Sequence, residues 1–170
     1  TGTAATTLTV IAGDTVTTNA NALADDITLN LDGVGNNVVN NLQGHLVKDD
    51  ANGTLDINFK DITDNEATVT IGKQAATITV ADAGDTVTTN AGNLEDDIDL
   101  TLDGAGNHIV TSLIGDIVGG AATGDITVTA GAVVQEITTG AGDDTIKFAL
   151  ADFTADDSVE GGAGTNVLHL

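Results

Sequence analysis

Two short glycine-rich segments near the end of the chain carry the residues best suited to chemistry. Residues 140–146 read GAGDDTI and residues 161–168 read GGAGTNVL. In each segment glycines permit a tight turn, Asp or Asn follows, and an apolar residue then points inward. Turn carbonyls and Asp carboxylates are hard oxygen ligands, and Ca²⁺ takes about six to eight of them. Because a single turn offers too few oxygens, we expect a calcium site shared between two stacked turns.

Both segments fit a nine-residue calcium-binding repeat, G-G-x-G-x-D-x-U-x, in which U is a large apolar residue. Residues 139–147 fit it with Thr139 in place of the first glycine, and residues 161–169 fit it with Asn166 in place of the aspartate. The stretch 139–170 resembles the RTX family of secreted calcium-binding proteins, and within it the bacterial S-layer proteins. The resemblance is specific over this stretch and only compositional over the first 138 residues.

The resemblance implies a function and a ligand set. It implies a structural protein, not an enzyme, that is exported by type I secretion and folds when it binds Ca²⁺ outside the cell. Its implied partners are neighbouring copies in a lattice on the bacterial surface, and cell-surface polysaccharide through another part of the chain. The ligand roles that the resemblance transfers fall on Gly140, Gly142, Asp144, Gly162, Gly164 and Asn166, with Asp143 adding charge beside them.

Two further modules lie upstream. Residues 32–39 read DGVGNNVV and residues 103–110 read DGAGNHIV, so Asn37 and His108 stand where the repeat has its aspartate. We expect all four modules to share one register, either as calcium sites or as plain β-turns. The upstream candidate ligands are Asp32, Gly33, Gly35, Asn36, Asp103, Gly104, Gly106 and Asn107, together with Asp14 and Asp85. The acid pairs Asp25-Asp26, Asp96-Asp97 and Asp156-Asp157 are either extra ligands or solvated turns.

The chain repeats itself at an offset of 71 residues. Residues 13–20, GDTVTTNA, recur identically as residues 84–91. Within each copy, glycines of the modules recur every 18 or 22 residues, as at Gly106, Gly124 and Gly142. Two nine-residue repeats make 18 residues, which is one rung of a parallel β-roll, and fixed periods near this length indicate a solenoid. The 22-residue intervals leave room for a small outward bulge.

We therefore predict an all-β fold, a parallel β-solenoid or β-roll with calcium-binding glycine-aspartate turns between short strands. Alternation of apolar and β-branched polar residues at 77–80 and 126–129 supports it, with Val, Ile and Leu facing inward and Thr outward. We predict one solenoid segment over residues 1–170, part of a larger protein, with repeat units of about 7–77 and 77–138 and RTX-like coils over 139–170.

Some segments fit this plan less well. Residues 59–76 break the rung spacing. Within them, residues 59–66 are expected to form a hairpin or a longer loop off the solenoid, and residues 67–71 alternate as a strand does. Short helices are an alternative for residues 19–26, 90–97 and 149–155.

Composition narrows the function classes. The chain has 26 acidic residues, four Lys and no Arg, for a formal net charge of −22. This excludes nucleic-acid binding, because no basic surface is available to neutralise phosphate, and it argues against anionic lipid. The chain has no Cys, and it has no apolar run of the ~18 residues that would span a membrane.

Residue types for catalysis are sparse. Ser112 and Ser158 are the only serines, and His45, His108 and His169 stand alone in the sequence, so we predict no enzyme activity. Thr-x-Thr recurs and suggests an alternative, the repeat segment of a secreted RTX adhesin or ice-binding protein. The Thr-x-Thr pairs are Thr15/Thr17, Thr68/Thr70, Thr77/Thr79, Thr86/Thr88 and Thr127/Thr129.

Overall fold

A computed structural model of the chain describes residues 4–48, 53–62 and 66–170. These ranges contain seventeen β-strands, numbered in chain order, and no helix. Accordingly, the described residues offer no helical segment with the length and apolarity that crossing a bilayer requires.

The strands form two sheets. Sheet one has nine strands, β1 (Thr6–Thr9), β3 (Thr28–Asp32), β5 (His45–Lys48), β7 (Glu66–Ile71), β9 (Thr86–Asn90), β11 (Asn107–Leu113), β13 (Ile126–Ala130), β15 (Thr145–Lys147) and β17 (Val167–His169). Sheet two has eight strands, β2 (Thr15–Asn19), β4 (Asn36–Leu42), β6 (Leu55–Phe59), β8 (Ala76–Val80), β10 (Asp99–Gly104), β12 (Asp116–Val118), β14 (Glu136–Thr138) and β16 (Ser158–Glu160).

The chain winds as a two-sheet parallel β-solenoid, which confirms the predicted fold. Each strand pairs in parallel with the strand two places further along the chain, so the chain alternates between the sheets at every turn. Inward positions of both sheets are apolar, as in β8, where Ala76, Ile78 and Val80 are buried and the threonines between them face outward. The core lies between the sheets and is almost purely aliphatic.

The turns form two edges of the solenoid. Edge 1 holds the turns that lead from sheet one to sheet two, such as residues 33–35 and 91–98. Edge 2 holds the turns that lead from sheet two to sheet one, such as residues 105–106 and 139–144. Successive turns on the same edge are one coil apart. Their separation is that of hydrogen-bonded strands, about 4.8 Å.

The 71-residue repeat covers seven strands, an odd number. Strand β2 and strand β9 have the same sequence, TVTTN, yet β2 belongs to sheet two and β9 to sheet one. With two strands per coil, seven strands make three and a half coils. The second copy therefore follows the first after a half-turn about the solenoid axis, and equivalent residues lie on opposite sheets and opposite edges.

Two predictions about local structure are wrong. Residues 59–66 do not form a hairpin, because Phe59 ends β6 in sheet two and Glu66 begins β7 in sheet one; residues 63–65 lie outside the described residues. The segments predicted as possible helices (19–26, 90–97 and 149–155) form turns instead. In the first, the Leu23 and Ile27 N–H groups each bond the carbonyl three residues earlier, so two consecutive β-turns replace a helical turn.

The 22-residue intervals do contain longer turns, as predicted. Eight residues separate β2 from β3, eight separate β9 from β10, and ten separate β15 from β16. The other turns are shorter, so the extra residues of each long coil lie outside the sheets at an edge.

Candidate functional site

The glycine turns stack directly on one another along edge 2. Gly106, Gly124, Gly142 and Gly164 form one column, in which a Cβ added to each later glycine would overlap the carbonyl oxygen of the glycine one coil before it. Because none of these backbones leaves room for a side chain, the column requires glycine. Three of the four modules, at residues 103–111, 139–147 and 161–169, therefore share one register, as predicted, and residues 121–129 fall in the same register between them.

The fourth module, residues 32–39, does not share this register. Its glycines lie on edge 1, where Gly35 packs against the backbone of Ile11 and Asp14. The prediction that all four modules share one register is wrong, because the half-turn between the two repeats moves this module to the opposite edge.

The fifth residue of each module links adjacent coils. The Asp125 N–H donates to Asn107 Oδ1 at 3.0 Å, the Asp143 N–H donates to Asp125 Oδ1 at 2.8 Å, and the Thr165 N–H donates to Asp143 Oδ1 at 2.7 Å. This ladder uses one side-chain oxygen at each of Asn107, Asp125 and Asp143. Of these three, sequence reasoning missed Asp125, although its position after Gly124 at the 18-residue spacing was a signal for it.

Edge 1 contains the equivalent bond of the first repeat. The Thr54 N–H donates to Asn36 Oδ1 at 2.8 Å, and Asn36 Nδ2 lies 3.3 Å from Thr15 Oγ1. Asn36 and Asn107 are 71 residues apart and make the same contact, so the predicted ligands Asn36, Asn107 and Asp143 all act as links between coils.

Asp144 occupies the sixth position of its module and is almost fully buried, at 1% exposure. Its Oδ1 accepts the Ile126 N–H at 2.7 Å, and its own N–H donates to Asn166 Oδ1 at 2.9 Å. Its Oδ2 is enclosed and has no hydrogen-bond partner. The structure thus brings Asp144 and Asn166 together, as predicted, and leaves one carboxylate oxygen with an unmet interaction.

The other sixth-position side chains are donors to their own turns. Asn37 Nδ2 donates to the Gly35 carbonyl at 3.0 Å, and Asn166 Nδ2 donates to the Gly161 carbonyl at 2.6 Å. His108 Nε2 lies 3.1 Å from the Asp103 carbonyl oxygen, and because a carbonyl only accepts, Nε2 carries the proton. Each of these three turns therefore has a carbonyl oxygen bonded by a side-chain N–H.

His108 is buried, at 1% exposure, and its Nδ1 has no hydrogen-bond partner. Desolvation lowers the pKa of His108 from 6.5 to about 4, against the opposing effects of the Asp103 carbonyl and the Asp103 carboxylate. Its neighbours in the same row of sheet one are Val87 and Ile126, which are apolar. The ring is neutral at physiological pH and serves as a hydrogen-bond donor inside the solenoid.

The remaining predicted ligands occupy ordinary turn positions. Asp32 Oδ1 accepts the Gly33 N–H at 2.8 Å, and Asp103 Oδ1 accepts the Gly104 N–H at 2.7 Å. Gly140 and Gly162 belong to adjacent coils of edge 2, and a Cβ on Gly162 would overlap the Gly140 carbonyl oxygen.

Asp14 and Asp85 are equivalent in sequence and different in environment. Asp14 is exposed on edge 1, whereas Asp85 is buried on edge 2, where its Oδ2 accepts the Ile62 N–H at 2.9 Å. The backbone carbonyls of the two residues accept the N–H groups of Asn36 and Asn107 respectively. Both residues are therefore linked to the next coil through the backbone.

Asp157, which belongs to the acid pair Asp156-Asp157, makes several hydrogen bonds. Its Oδ1 accepts the Gln135 N–H at 2.8 Å, and its Oδ2 accepts the Thr154 N–H at 2.6 Å. Slight desolvation raises the pKa of Asp157, but hydrogen bonds from Thr154 and Gln135 outweigh it and lower the pKa below its ordinary value. This carboxylate stabilises the 148–157 turn. That role agrees with the second alternative for the pair Asp156-Asp157, a solvated turn.

The residues fit Ca²⁺ at one turn better than at the others. In residues 139–144, the unpartnered Asp144 Oδ2 lies in a glycine turn, and an anionic oxygen of this kind suits a hard cation. Within the described ranges, no three His, Cys, Asp or Glu side chains converge as a metal-binding group. A cation here would be held by Asp144 and by backbone carbonyls of this turn, such as that of Gly142, since the Gly140 carbonyl already accepts the Ala163 N–H at 3.0 Å.

The two outer faces of the solenoid differ in charge. Among the described strands, outward positions of sheet two carry six carboxylates: Asp56, Asp99, Asp103, Asp116, Glu136 and Glu160. Outward positions of sheet one carry two carboxylates, Asp32 and Glu66, at strand ends, and one ammonium, Lys147. Sheet one is otherwise covered by neutral polar and β-branched side chains.

Threonines form a broken row across the outer face of sheet one. Register pairs Thr68 with Thr88 on adjacent strands, and Thr127 with Thr145. Ile109 separates the two pairs. The Thr-x-Thr pairs do not make one ladder, because those of β2 and β8 lie on sheet two.

Comparison with known proteins adds no relative to this description. No protein-family model matches the chain, and neither a curated protein nor a solved structure is significantly similar to it. The architecture defines the class of protein as a repetitive parallel β-solenoid, and any function must be argued from its turns and faces.

Proposed function

We propose that this chain is a structural segment of an extracellular bacterial surface layer, and that copies self-assemble through the outer face of sheet one. In this proposal Ca²⁺ reduces the acidic charge and occupies the Asp144 turn. The observation that carries the proposal is the separation of charge between the two faces of a chain with net charge −22.

Self-repulsion favours sheet one as the contact. A high net charge keeps copies of a protein apart unless a surface of low charge is available. On sheet two, Asp99 lies opposite Asp116 on the adjacent strand, so two such faces would confront each other with rows of carboxylates. On sheet one, Thr68, Thr88 and Thr127 present hydroxyl groups that both donate and accept hydrogen bonds. A second copy of the same face can therefore bond to it without charge repulsion.

The face supplies most of the area of a stable contact. Nine strands at about 4.8 Å spacing extend for about 38 Å, and the strands give a width of roughly 15 Å. A stable interface buries about 800 Å² per partner, which is about a tenth of the 7615 Å² accessible surface of the described chain. These dimensions give sheet one a flat area of about 570 Å², so a contact of standard size would also include side chains of the flanking turns.

The calcium part of the proposal rests on Asp144. Carboxylates that repel each other in the absence of metal are a source of instability that bound cations relieve, and metal binding then contributes to folding. This fits a protein that folds after export by type I secretion, where extracellular calcium becomes available. No catalytic role is proposed: among the described residues, His108 is buried and His45 and His169 lie on separate strands, β5 and β17.

A charge on sheet one tests the self-assembly. The Thr88→Glu variant places a carboxylate on the central strand of sheet one, and we expect it to weaken self-association by about tenfold or more, since each like-charge contact opposes the interface. The measurement is sedimentation velocity over a concentration series in calcium-containing buffer.

The matched control is Thr101→Glu, which places the same charge at an outward position of sheet two. It should associate like the wild type. Equal weakening by the two variants would indicate a general charge effect, and a wild type that stays monomeric at high concentration would reject the proposed assembly.

The Thr row supports a second candidate, the repeat of a secreted adhesin or ice-binding protein. A flat, uncharged, Thr-bearing face is what this function requires, and sheet one provides it apart from the break at Ile109 and the ring of His45. Thermal hysteresis in a solution of the chain, with loss in Thr88→Glu, would favour ice binding. Its absence, together with concentration-dependent association, favours assembly.

A further inference from the structure

We propose that Asn37, His108 and Asn166 replace a cation in their glycine turns, and that the Asp144 turn is left to take one. The inference deepens the calcium part of the proposed function and rests on it for the Asp144 turn. It concerns how this chain closes its turns with its own N–H groups.

The physical reason is the pattern of oxygen atoms in a glycine turn. Such a turn presents backbone carbonyl oxygens, and these need either a cation or hydrogen-bond donors when they are removed from water. A sixth-position aspartate supplies a negative oxygen and so favours a cation. A sixth-position amide or imidazole supplies an N–H instead, which bonds a carbonyl directly and needs no ion.

The turn at residues 32–37 contains two donors of the chain itself. Asn37 Nδ2 donates to the Gly35 carbonyl at 3.0 Å, and the side chain is buried at 1% exposure. Lys48 Nζ donates to the Gly33 carbonyl at 3.0 Å, and Lys48 is fully buried. Two carbonyl oxygens of this turn are therefore bonded by N–H groups of the chain's own side chains.

His108 makes a contact of the same kind in the second repeat, to a different carbonyl of its turn. It is equivalent to Asn37 at the 71-residue offset, and its Nε2 bonds the Asp103 carbonyl at 3.1 Å. The Gly104 carbonyl of the same turn accepts the Thr123 N–H at 2.8 Å. Asn37 and His108 thus both donate an N–H to a carbonyl of their own turn, although they are different residues and lie on opposite edges.

Asn166 closes the last module in the same way. Its Nδ2 donates to the Gly161 carbonyl at 2.6 Å and to the Ala163 carbonyl at 3.2 Å. Two carbonyl oxygens of one turn are bonded by one amide group. Asparagine in place of aspartate at position 166 therefore does more than remove a charge. It replaces metal binding with hydrogen bonds to the carbonyls of the turn.

Asp144 is the exception among these four modules. An ionised carboxylate has no proton to donate, so Asp144 bonds no carbonyl of its own turn. Of these carbonyls, that of Gly140 accepts the Ala163 N–H of the next coil at 3.0 Å. Asp144 Oδ1 is used by the Ile126 N–H, and its buried Oδ2 has no partner. Asn37 Oδ1 also has no partner, but it is the oxygen of a neutral amide. The arrangement at Asp144 is the one in which a cation stabilises both the carboxylate and the turn.

Calorimetric titration of the whole chain with CaCl₂ tests the inference. We expect about one Ca²⁺ per chain, because one of the four turns keeps its acid. In Asp144→Asn the binding should be lost, and the midpoint of thermal unfolding in chelator should rise by a few degrees, because the new amide donates where Oδ2 could not. His108→Asn is the matched control, since asparagine is the residue of the first repeat, and it should leave the calcium stoichiometry unchanged.

The outcomes separate this inference from the proposed function. About four ions per chain, or an Asp144→Asn variant that binds calcium like the wild type, would overturn the replacement. No calcium binding in the wild type, combined with a higher unfolding midpoint for Asp144→Asn in chelator, would reject the calcium part of the proposed function and support the replacement. Asp144→Asn with no gain in midpoint and no change in binding would overturn it, whatever the association assay of Thr88→Glu shows.

Discussion

Side-chain oxygens of the glycine modules can bind a metal or accept N–H groups of a neighbouring coil, and the sequence does not distinguish these two roles. The spacing predicts that Asn107, Asp143 and Asp144 lie in stacked turns, and the structure confirms this. It does not predict that most of their oxygens accept N–H groups of the neighbouring coil, because that depends on how closely the coils stack. The role of Asp125 was not predicted either, because residues 121–129 lack the other residues of the repeat.

The acid stability of the chain should depend on His108. The folded pKa of about 4 lies below the ordinary 6.5, so the unfolded chain binds the proton more tightly. The stabilising effect of the neutral ring is complete above pH 6.5 and is lost as the pH falls from 6.5 towards 4. A shift of this size corresponds to about 3 kcal/mol of the free energy of unfolding.

Chemical denaturation followed by circular dichroism at several pH values measures this effect. Carboxylate repulsion also changes over this range, so the quantity of interest is the wild-type free energy minus that of His108→Asn. We expect that difference to fall by about 3 kcal/mol between pH 7 and pH 4. A constant difference would show that His108 does not titrate in the folded interior.

At the scale of elements, the strands were predictable and the edges were not. Alternation of apolar and polar residues correctly predicted the inward faces of β8 and β13. The identical residues 13–20 and 84–91 indicate a repeat in the sequence. They do not indicate that the second copy is rotated by half a turn, because that follows from the number of strands in the repeat, which only the structure gives. The alternation at residues 67–71 likewise predicts strand β7, although residues 59–76 lack the glycine spacing of the other coils.

The glycine column of edge 2 gives a prediction about stability. In Gly142→Ala, the new Cβ would meet the Gly124 backbone, which cannot move without displacing a whole coil. We expect a loss of about 1–3 kcal/mol in the free energy of unfolding, as for other overpacked sites. Calorimetric or denaturant-induced unfolding is the measurement.

Gly120→Ala is the control for this substitution. A Cβ at Gly120 has no atom within 4 Å, and its φ is not in the left-handed region. We expect no loss, or a gain of roughly 0.4–1 kcal/mol from the reduced freedom of the unfolded chain. Similar losses in the two variants would mean that the coils are not stacked as closely as the column requires.

For the molecule as a whole, the sequence indicated the charge but not its distribution. A formal charge of −22 excludes several function classes, yet only the assignment of strands to sheets shows that sheet one carries few of these carboxylates. The Thr-x-Thr pairs recur at irregular spacing along the sequence. Their division between the sheets explains that spacing, and it also leaves a threonine-bearing face with little charge.

Site-specific cross-linking tests the central claim, assembly through sheet one, most directly. The chain has no native cysteine, so one introduced thiol reports one position. Strand β9 is the middle strand of the nine in sheet one, and a twofold contact between two such faces brings residues near the axis close to their own copies. Thr88→Cys should therefore form covalent dimers with a short bismaleimide in high yield, whereas Thr101→Cys on sheet two should not. Efficient cross-linking of Thr101→Cys with none of Thr88→Cys would contradict the account.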